Sequence, residues 1–276
     1  MAETPDFRDA ALLIAAHGSP GSRGGRTSTR KHAQSIANLD LFAEVAAGFL
    51  TEKPFAGDVL DGFTAPDVYV VPNMTANGYI TTTKLPQALG LTGPVTERIG
   101  PHGRQRIILT EPVGTHPLVP RIMANRIKNA MQSLNLDAPE TTLVVVGHGS
   151  TKSRESFAQT EHVADEINEL GLEVTTVTAY LEEPTFVKDW TALSDAHTFV
   201  FAPFLVSDGF HGSQDIPLAI GFDPADAAFQ ENLAQGRINE TLSQGRRVIY
   251  LPPVGDDADM ADIVLARVRQ AGAVSR

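Results

Sequence analysis

The chain has 276 residues, 42% hydrophobic and 20% charged, with no cysteine and a formal net charge of −11. That is the composition of a globular protein long enough for one large domain or two ordinary ones. It excludes disulfides, iron–sulfur clusters and thiolate zinc sites, and its negative charge argues against nucleic acid as a partner.

Any metal must therefore be held by His, Asp, Glu or carbonyl oxygen. The longest apolar run near the start, Ala10–Ala16, is too short to span a bilayer. The residues ahead of it are acidic rather than basic, so no membrane partner or secretory leader is expected, and a cytoplasmic location is. The charge is unevenly divided. Residues 1–137 hold 13 Lys and Arg against 12 Asp and Glu, whereas residues 138–276 hold 9 against 21. Solvated helix faces account for such a split, as does one half facing a cation while the other faces an anion.

Taken in chain order, the first element is Leu12–Ala16, an apolar run ending at His17-Gly18-Ser19. A strand buried on both faces of a parallel sheet reads this way. Arg26–Ala47 follows as a polar, helix-compatible stretch, and Val70-Val71-Pro72 precedes a loop with Gly78. The plan then repeats. Leu143–Gly147 ends at His148-Gly149-Ser150, an offset of 131 from His17, and Ala202-Pro203 lies 131 beyond Val71-Pro72. Pro112-Val113-Gly114 returns as Pro253-Val254-Gly255 with the offset grown to 141. A tandem duplication explains three landmarks in one order. Its joint lies near Leu136–Glu140, giving lobes 1–137 and 138–276.

In the second copy, Ser153–Leu170 reads as a helix stopped by Gly171. Val174–Tyr180, Thr198–Leu205 and Arg247–Leu251 read as strands. Strands alternating with helices predict an α/β fold of two similar lobes, each a small parallel sheet flanked by helices, with a cleft between them. Ligands in such sheets gather beyond the carboxyl ends of the strands. Three strand ends of the second lobe present His148, Glu182 or Glu183, and His211 there. Two imidazoles and a carboxylate suit a borderline divalent ion such as Co²⁺, Fe²⁺, Ni²⁺ or Zn²⁺, and the same groups accept protons near neutral pH. Asp215 is placed to orient His211, and Ser150 and Gly209 lie on the same rim. Taken alone, His-Gly-Ser is also plain turn chemistry, with Ser150 capping the next helix.

The first copy keeps His17 but has Ile80 where the second has His211, and Lys84 where it has Asp215. An apolar Ile neither binds a metal nor takes a proton, so the first lobe is expected to have lost the reaction. Its rim is basic instead, with Arg23, Arg26, Arg30, Lys31 and Lys84. Arg26 and Arg30 are candidate contacts for substrate carboxylates.

The strand–His-Gly-Ser pairing with Ala202-Pro203-Phe204-Leu205-Val206-Ser207-Asp208-Gly209-Phe210-His211-Gly212-Ser213-Gln214-Asp215-Ile216-Pro217 resembles the CbiX/SirB-type chelatases. These are class II, ATP-independent enzymes that insert cobalt or ferrous iron into sirohydrochlorin, on the way to cobalamin or siroheme. The Gly-x-His-x-x-x-Asp-Ile-Pro stretch is the specific part, and the resemblance spans nearly the whole chain. It implies a lyase with His148 and His211 as its catalytic histidines and Glu182, or failing that Glu183, as its metal-side acid. It implies no cofactor beyond the metal that is itself a substrate, and a small tetrapyrrole as partner. In many long members the intact histidine pair lies in the first half; here it lies in the second. Gly147-His148-Gly149-Ser150-Thr151-Lys152 lacks the spacing of a nucleotide phosphate loop, consistent with no ATP. A duplicated chain builds from two lobes what a half-length relative builds by dimerising, so a monomer is expected. Two rival readings are a metal or tetrapyrrole carrier of the same fold without turnover, and a phosphohistidine enzyme. The second wants an Arg directly beside the histidine, where this chain has Ala16 and Gly147.

Overall fold

The computed structural model describes residues 6–20, 27–151, 153–206 and 209–274. It contains two five-stranded sheets of matching topology. The first is built from β1 (Phe7–Ala16), β2 (Phe42–Phe49), β3 (Asp67–Asn73), β4 (Val95–Gly100) and β5 (Gly103–Leu109), in the order β2-β1-β3-β5-β4. Its helices are α1 (Thr27–Ala37), α2 (Ala56–Gly62) and α3 (Leu85–Leu89), and α4 (Leu118–Ser133) closes the repeat.

The second sheet comprises β6 (Thr141–Gly147), β7 (Thr175–Tyr180), β8 (Thr198–Pro203), β9 (Asn239–Ser243) and β10 (Arg246–Tyr250), in the order β7-β6-β8-β10-β9. Its helices are α5 (Glu155–Glu169), α6 (Ile216–Ile220) and α7 (Ala227–Ala234), with α8 (Met260–Val274) at the end.

Burial explains the central strands. Every residue of β6 is buried, as is β1 from Ala10 on, which only a sheet covered on both faces demands. One face of the second sheet packs Val144, Val146, Phe199 and Phe201 against Trp190, Ile216, Ile220 and Phe229. Each fully buried side chain of this size contributes about 1.5–3 kcal/mol. α4 and α5 pack together with β6 and β8. In the first sheet, Leu13, Ala15, Val68 and Val70 pack on Leu60, Leu85 and Leu89 from α2 and α3, and α1 meets α8.

The two α/β lobes with mostly parallel sheets stand as expected, and three details differ. The helix expected over Arg26–Ala47 ends at Ala37, and Phe42–Phe49 is strand β2, paired in parallel with β1 from Ala11↔Glu44 to Ala16↔Phe49. Its Ala-rich sequence favours helix, and pairing along β1 overrides that propensity. Neither sheet is wholly parallel, since β4 and β9 are antiparallel edge strands on β5 and β10. Ser150 does not cap α5, whose N-cap is Arg154. The growth of the repeat offset has a simple cause: α7 has no counterpart in the first repeat.

Packing divides the chain differently from the repeat. One compact unit holds the residues up to His116 together with those from Ala258 on; the other is Pro117–Asp257. The last helix of each repeat is thus built into the unit of the other, α4 in the second and α8 in the first. An arginine fastens each helix. Arg126 on α4 donates to Pro253 O at 3.1 Å and Pro252 O at 2.6 Å, and Arg267 on α8 donates to Pro112 O at 3.1 Å. No helix among the described residues is long and apolar enough to cross a membrane.

Candidate functional site

β6 delivers His148 one residue past its end at Gly147. The backbone turns at Gly149 with φ +74°, where a Cβ would come within 3.0 Å of Glu183, so glycine is required twice over. The Ser150 N–H then donates to Glu183 Oε1 at 3.0 Å. Beyond β8 the chain reaches His211, the first residue of a single π-helical turn, His211–Asp215. Such turns are rare and concentrate at functional sites.

The two imidazoles meet edge to face. His148 Nε2 and His211 Nε2 are 3.1 Å apart, with ring centroids at 4.6 Å and planes at 81°. The other ring nitrogens decide the tautomers. His148 Nδ1 lies 2.9 Å from Gly149 O, and His211 Nδ1 lies 2.7 Å from Asp215 Oδ2. A carbonyl and a carboxylate only accept, so each neutral ring carries its proton on Nδ1. Both Nε2 atoms are then bare lone pairs facing each other at hydrogen-bonding distance. They repel until a proton or a cation enters.

A divalent ion fits between them. With metal–nitrogen bonds of about 2.0–2.1 Å, nitrogens 3.1 Å apart subtend roughly 95–100° at the ion. Those are adjacent coordination positions, leaving the far side of the ion open.

The two glutamates part company here. Glu183 holds the loop through Ser150, whereas Glu182 is exposed, with Oε2 4.0 Å from His148 Nδ1. That is the side of the ring turned away from His211. Among the described residues no group of three His, Asp or Glu is gathered for a metal, so the trio of His148, His211 and Glu182 is not drawn together. Gly209 O accepts from the N–H and hydroxyl of Ser213, starting the π-turn. Arg30 is exposed, its guanidinium 5.7 Å over the Phe49 ring. Arg26 lies outside the described residues.

The first unit repeats the frame without the second imidazole. His17 Nδ1 lies 3.0 Å from Gly18 O, and the Ser19 N–H donates to Glu52 Oε1 at 2.7 Å. Glu52 is the counterpart of Glu183 at the offset of 131, and Glu182 corresponds to Thr51, which donates to His17 O at 2.9 Å. The π-turn recurs as Ile80–Lys84. Sequence reasoning missed several residues around His211: Tyr250, Pro253, Gln230 and Arg126. Arg126 and Arg267 stand at the offset of 141 already marked by the Pro-Val-Gly landmark, and that spacing was the available signal.

Comparison with known proteins agrees with this picture. The CbiX family model matches residues 11–130 and again 142–271. A probable sirohydrochlorin cobaltochelatase of Halobacterium salinarum is 29% identical over 276 residues, covering 95% of this chain and 92% of that one. The solved structure of CbiX, described as the terminal enzyme for biosynthesis of siroheme in denitrifying bacteria, superposes with a TM-score of 0.67 at 22% identity, covering 95% of this chain and 99% of that one. The sirohydrochlorin chelatase SirB of Bacillus subtilis subspecies spizizenii, solved in complex with cobalt, gives 0.64 at 16% identity over 96% and 95% of the two chains. Each supports the same α/β fold.

Proposed function

The chain belongs to the CbiX family, and on that premise we propose that its second unit inserts Co²⁺ or Fe²⁺ into sirohydrochlorin or a close tetrapyrrole relative without ATP. The observation that carries this reading is the approach of two imidazole Nε2 atoms to 3.1 Å of each other. The names of the relatives support the substrate, and the N-donor pair suits either ion.

Insertion replaces two pyrrole N–H protons by one divalent ion, so two protons must leave as the metal enters. The same imidazole pair serves both halves of the exchange. It holds the ion through Nε2, and as the ion passes to the macrocycle the freed lone pairs accept protons. His211, oriented by Asp215 at 2.7 Å, takes one proton and His148 the other. Two imidazolium rings at this separation repel, so the first proton passes to water before or as the second is taken. Glu182, exposed beside His148, adds negative charge that draws the cation toward the rim. Ser150 and Gly209 are the proposed tetrapyrrole contacts of this unit, and Arg26 and Arg30 remain candidate carboxylate contacts from the sequence.

The test is absorbance-monitored insertion of Co²⁺ or Fe²⁺ into sirohydrochlorin with and without the protein. Acceleration over the spontaneous rate is expected; binding of metal or macrocycle without acceleration would make the protein a carrier.

A further inference from the structure

The π-turn that carries His211 is held from three sides, by two groups the first unit lacks and by Pro253, whose counterpart Pro112 the first unit keeps. The buried hydroxyl of Tyr250 donates to Gly212 O at 2.7 Å. The ring of Pro253 sits so close to Gly212 that a Cβ there would lie 2.6 Å from Pro253 Cγ. Gln230 on α7 donates to Ser213 O at 3.2 Å. In the first unit the position of Tyr250 is Leu109, that of Gly212 is Thr81, and α7 is missing altogether. The π-turn itself survives there, as Ile80–Lys84, so the fold forms this turn without the tyrosine and the glutamine. Tyr250 and Gln230 accompany the imidazole, not the turn.

Pro253 is itself fixed. Arg126 spans the carbonyls of Pro252 and Pro253 and lies 3.5 Å from Asp257. Gly255 in the same loop donates to Leu205 O at 2.8 Å, and a Cβ on it would lie 2.1 Å from the Val206 carbonyl. A continuous path of contacts thus runs from α4 of the first repeat, through Arg126 and Pro253, to Gly212 beside His211.

We propose that Tyr250 and Arg126 are positioning residues for His211, which hold its Nε2 at the distance from His148 Nε2 that one divalent ion bridges. The proposal deepens the chelatase reading and rests on it for the reaction, but not for metal capture. Displacement of a reacting group by about 1 Å costs on the order of a hundredfold in rate.

The test compares Tyr250→Phe and Arg126→Lys with Arg267→Lys, the mirror substitution on α8, which fastens a loop in the unit without an imidazole pair. Three readouts are taken on the full chain: thermal melting, Co²⁺ affinity from its visible absorption on titration, and kcat and KM for sirohydrochlorin. The expected result is a roughly 10- to 100-fold fall in kcat and at least a threefold weaker Co²⁺ affinity in Tyr250→Phe and Arg126→Lys, with KM for the macrocycle unchanged. Arg267→Lys keeps wild-type kcat and Co²⁺ affinity. Equal losses in Arg126→Lys and Arg267→Lys, or wild-type kcat and Co²⁺ affinity in Tyr250→Phe and Arg126→Lys, would overturn the proposal. Weakened Co²⁺ capture in the two variants of a protein that does not accelerate insertion at all would leave positioning standing and remove the chelatase reading instead.

Discussion

The two units differ least where the backbone turns and most where a proton or a cation is held. Gly18 and Gly149 both have positive φ, Glu52 and Glu183 both accept from the serine N–H, and both π-turns form. Against that constancy, His211 is answered by Ile80, Asp215 by Lys84 and Glu182 by Thr51. Arg30 is answered by Glu161, which accepts from Thr178 and from the Tyr180 hydroxyl. Each exchange removes a donor or reverses a charge, and none breaks a loop. The comparison separates what both units keep from what the second alone has: Glu183 falls on the first side, Glu182 on the second.

The sharpest way to break that separation is to remove single imidazoles. His148→Ala or His211→Ala should lower turnover at least 100-fold, while His17→Ala leaves it within about twofold, all read in the insertion assay. Comparable losses at His17 would mean the first unit still reacts. Grafting the missing groups is the converse experiment. Ile80→His with Lys84→Asp should add a second Co²⁺ equivalent by titration, bound more weakly because Leu109 and Thr81 leave the new imidazole unsupported.

The two glutamates sharpen the comparison further. Glu183→Gln should cost about 1 kcal/mol of stability by weakening a charged hydrogen bond to the Ser150 N–H, visible as a lower melting temperature. Glu182→Gln should leave melting unchanged and weaken Co²⁺ uptake. The smallest expected effect is a pH dependence confined to the first unit. His116 stands where the second unit has Asp257, and burial, then the nearby Arg267, holds its pKa below the usual value. The unfolded chain therefore binds the proton first, and stability should decline as pH falls below about 6.5. Melting curves of His116→Gln should lack that decline.

Much of this was legible in the sequence because duplication leaves an arithmetic trace. The offset of 131 located both strand-end histidines, and the same subtraction, applied one residue at a time, pairs Glu183 with Glu52. Read more loosely, as a region matching a region, it left the two acids unresolved. β2 was misread because Ala43, Ala46 and Ala47 carry no strand signature of their own; their conformation comes from pairing along β1. The antiparallel edges and α7 were hidden in a growth of ten residues that names no element. The exchange of α4 and α8 has no local signature at all, since an amphipathic helix does not record which sheet it covers.

That exchange bears on how such a gene can shrink. A copy stripped of its reactive groups would ordinarily be free to disappear by deletion. Here the copy with Ile80 in place of the second imidazole donates α4, and with it Arg126, to the architecture around His148 and His211. Excision of the first half would take α4 and Arg126 out of the second unit, so the copy without an imidazole pair serves as scaffolding for its sibling.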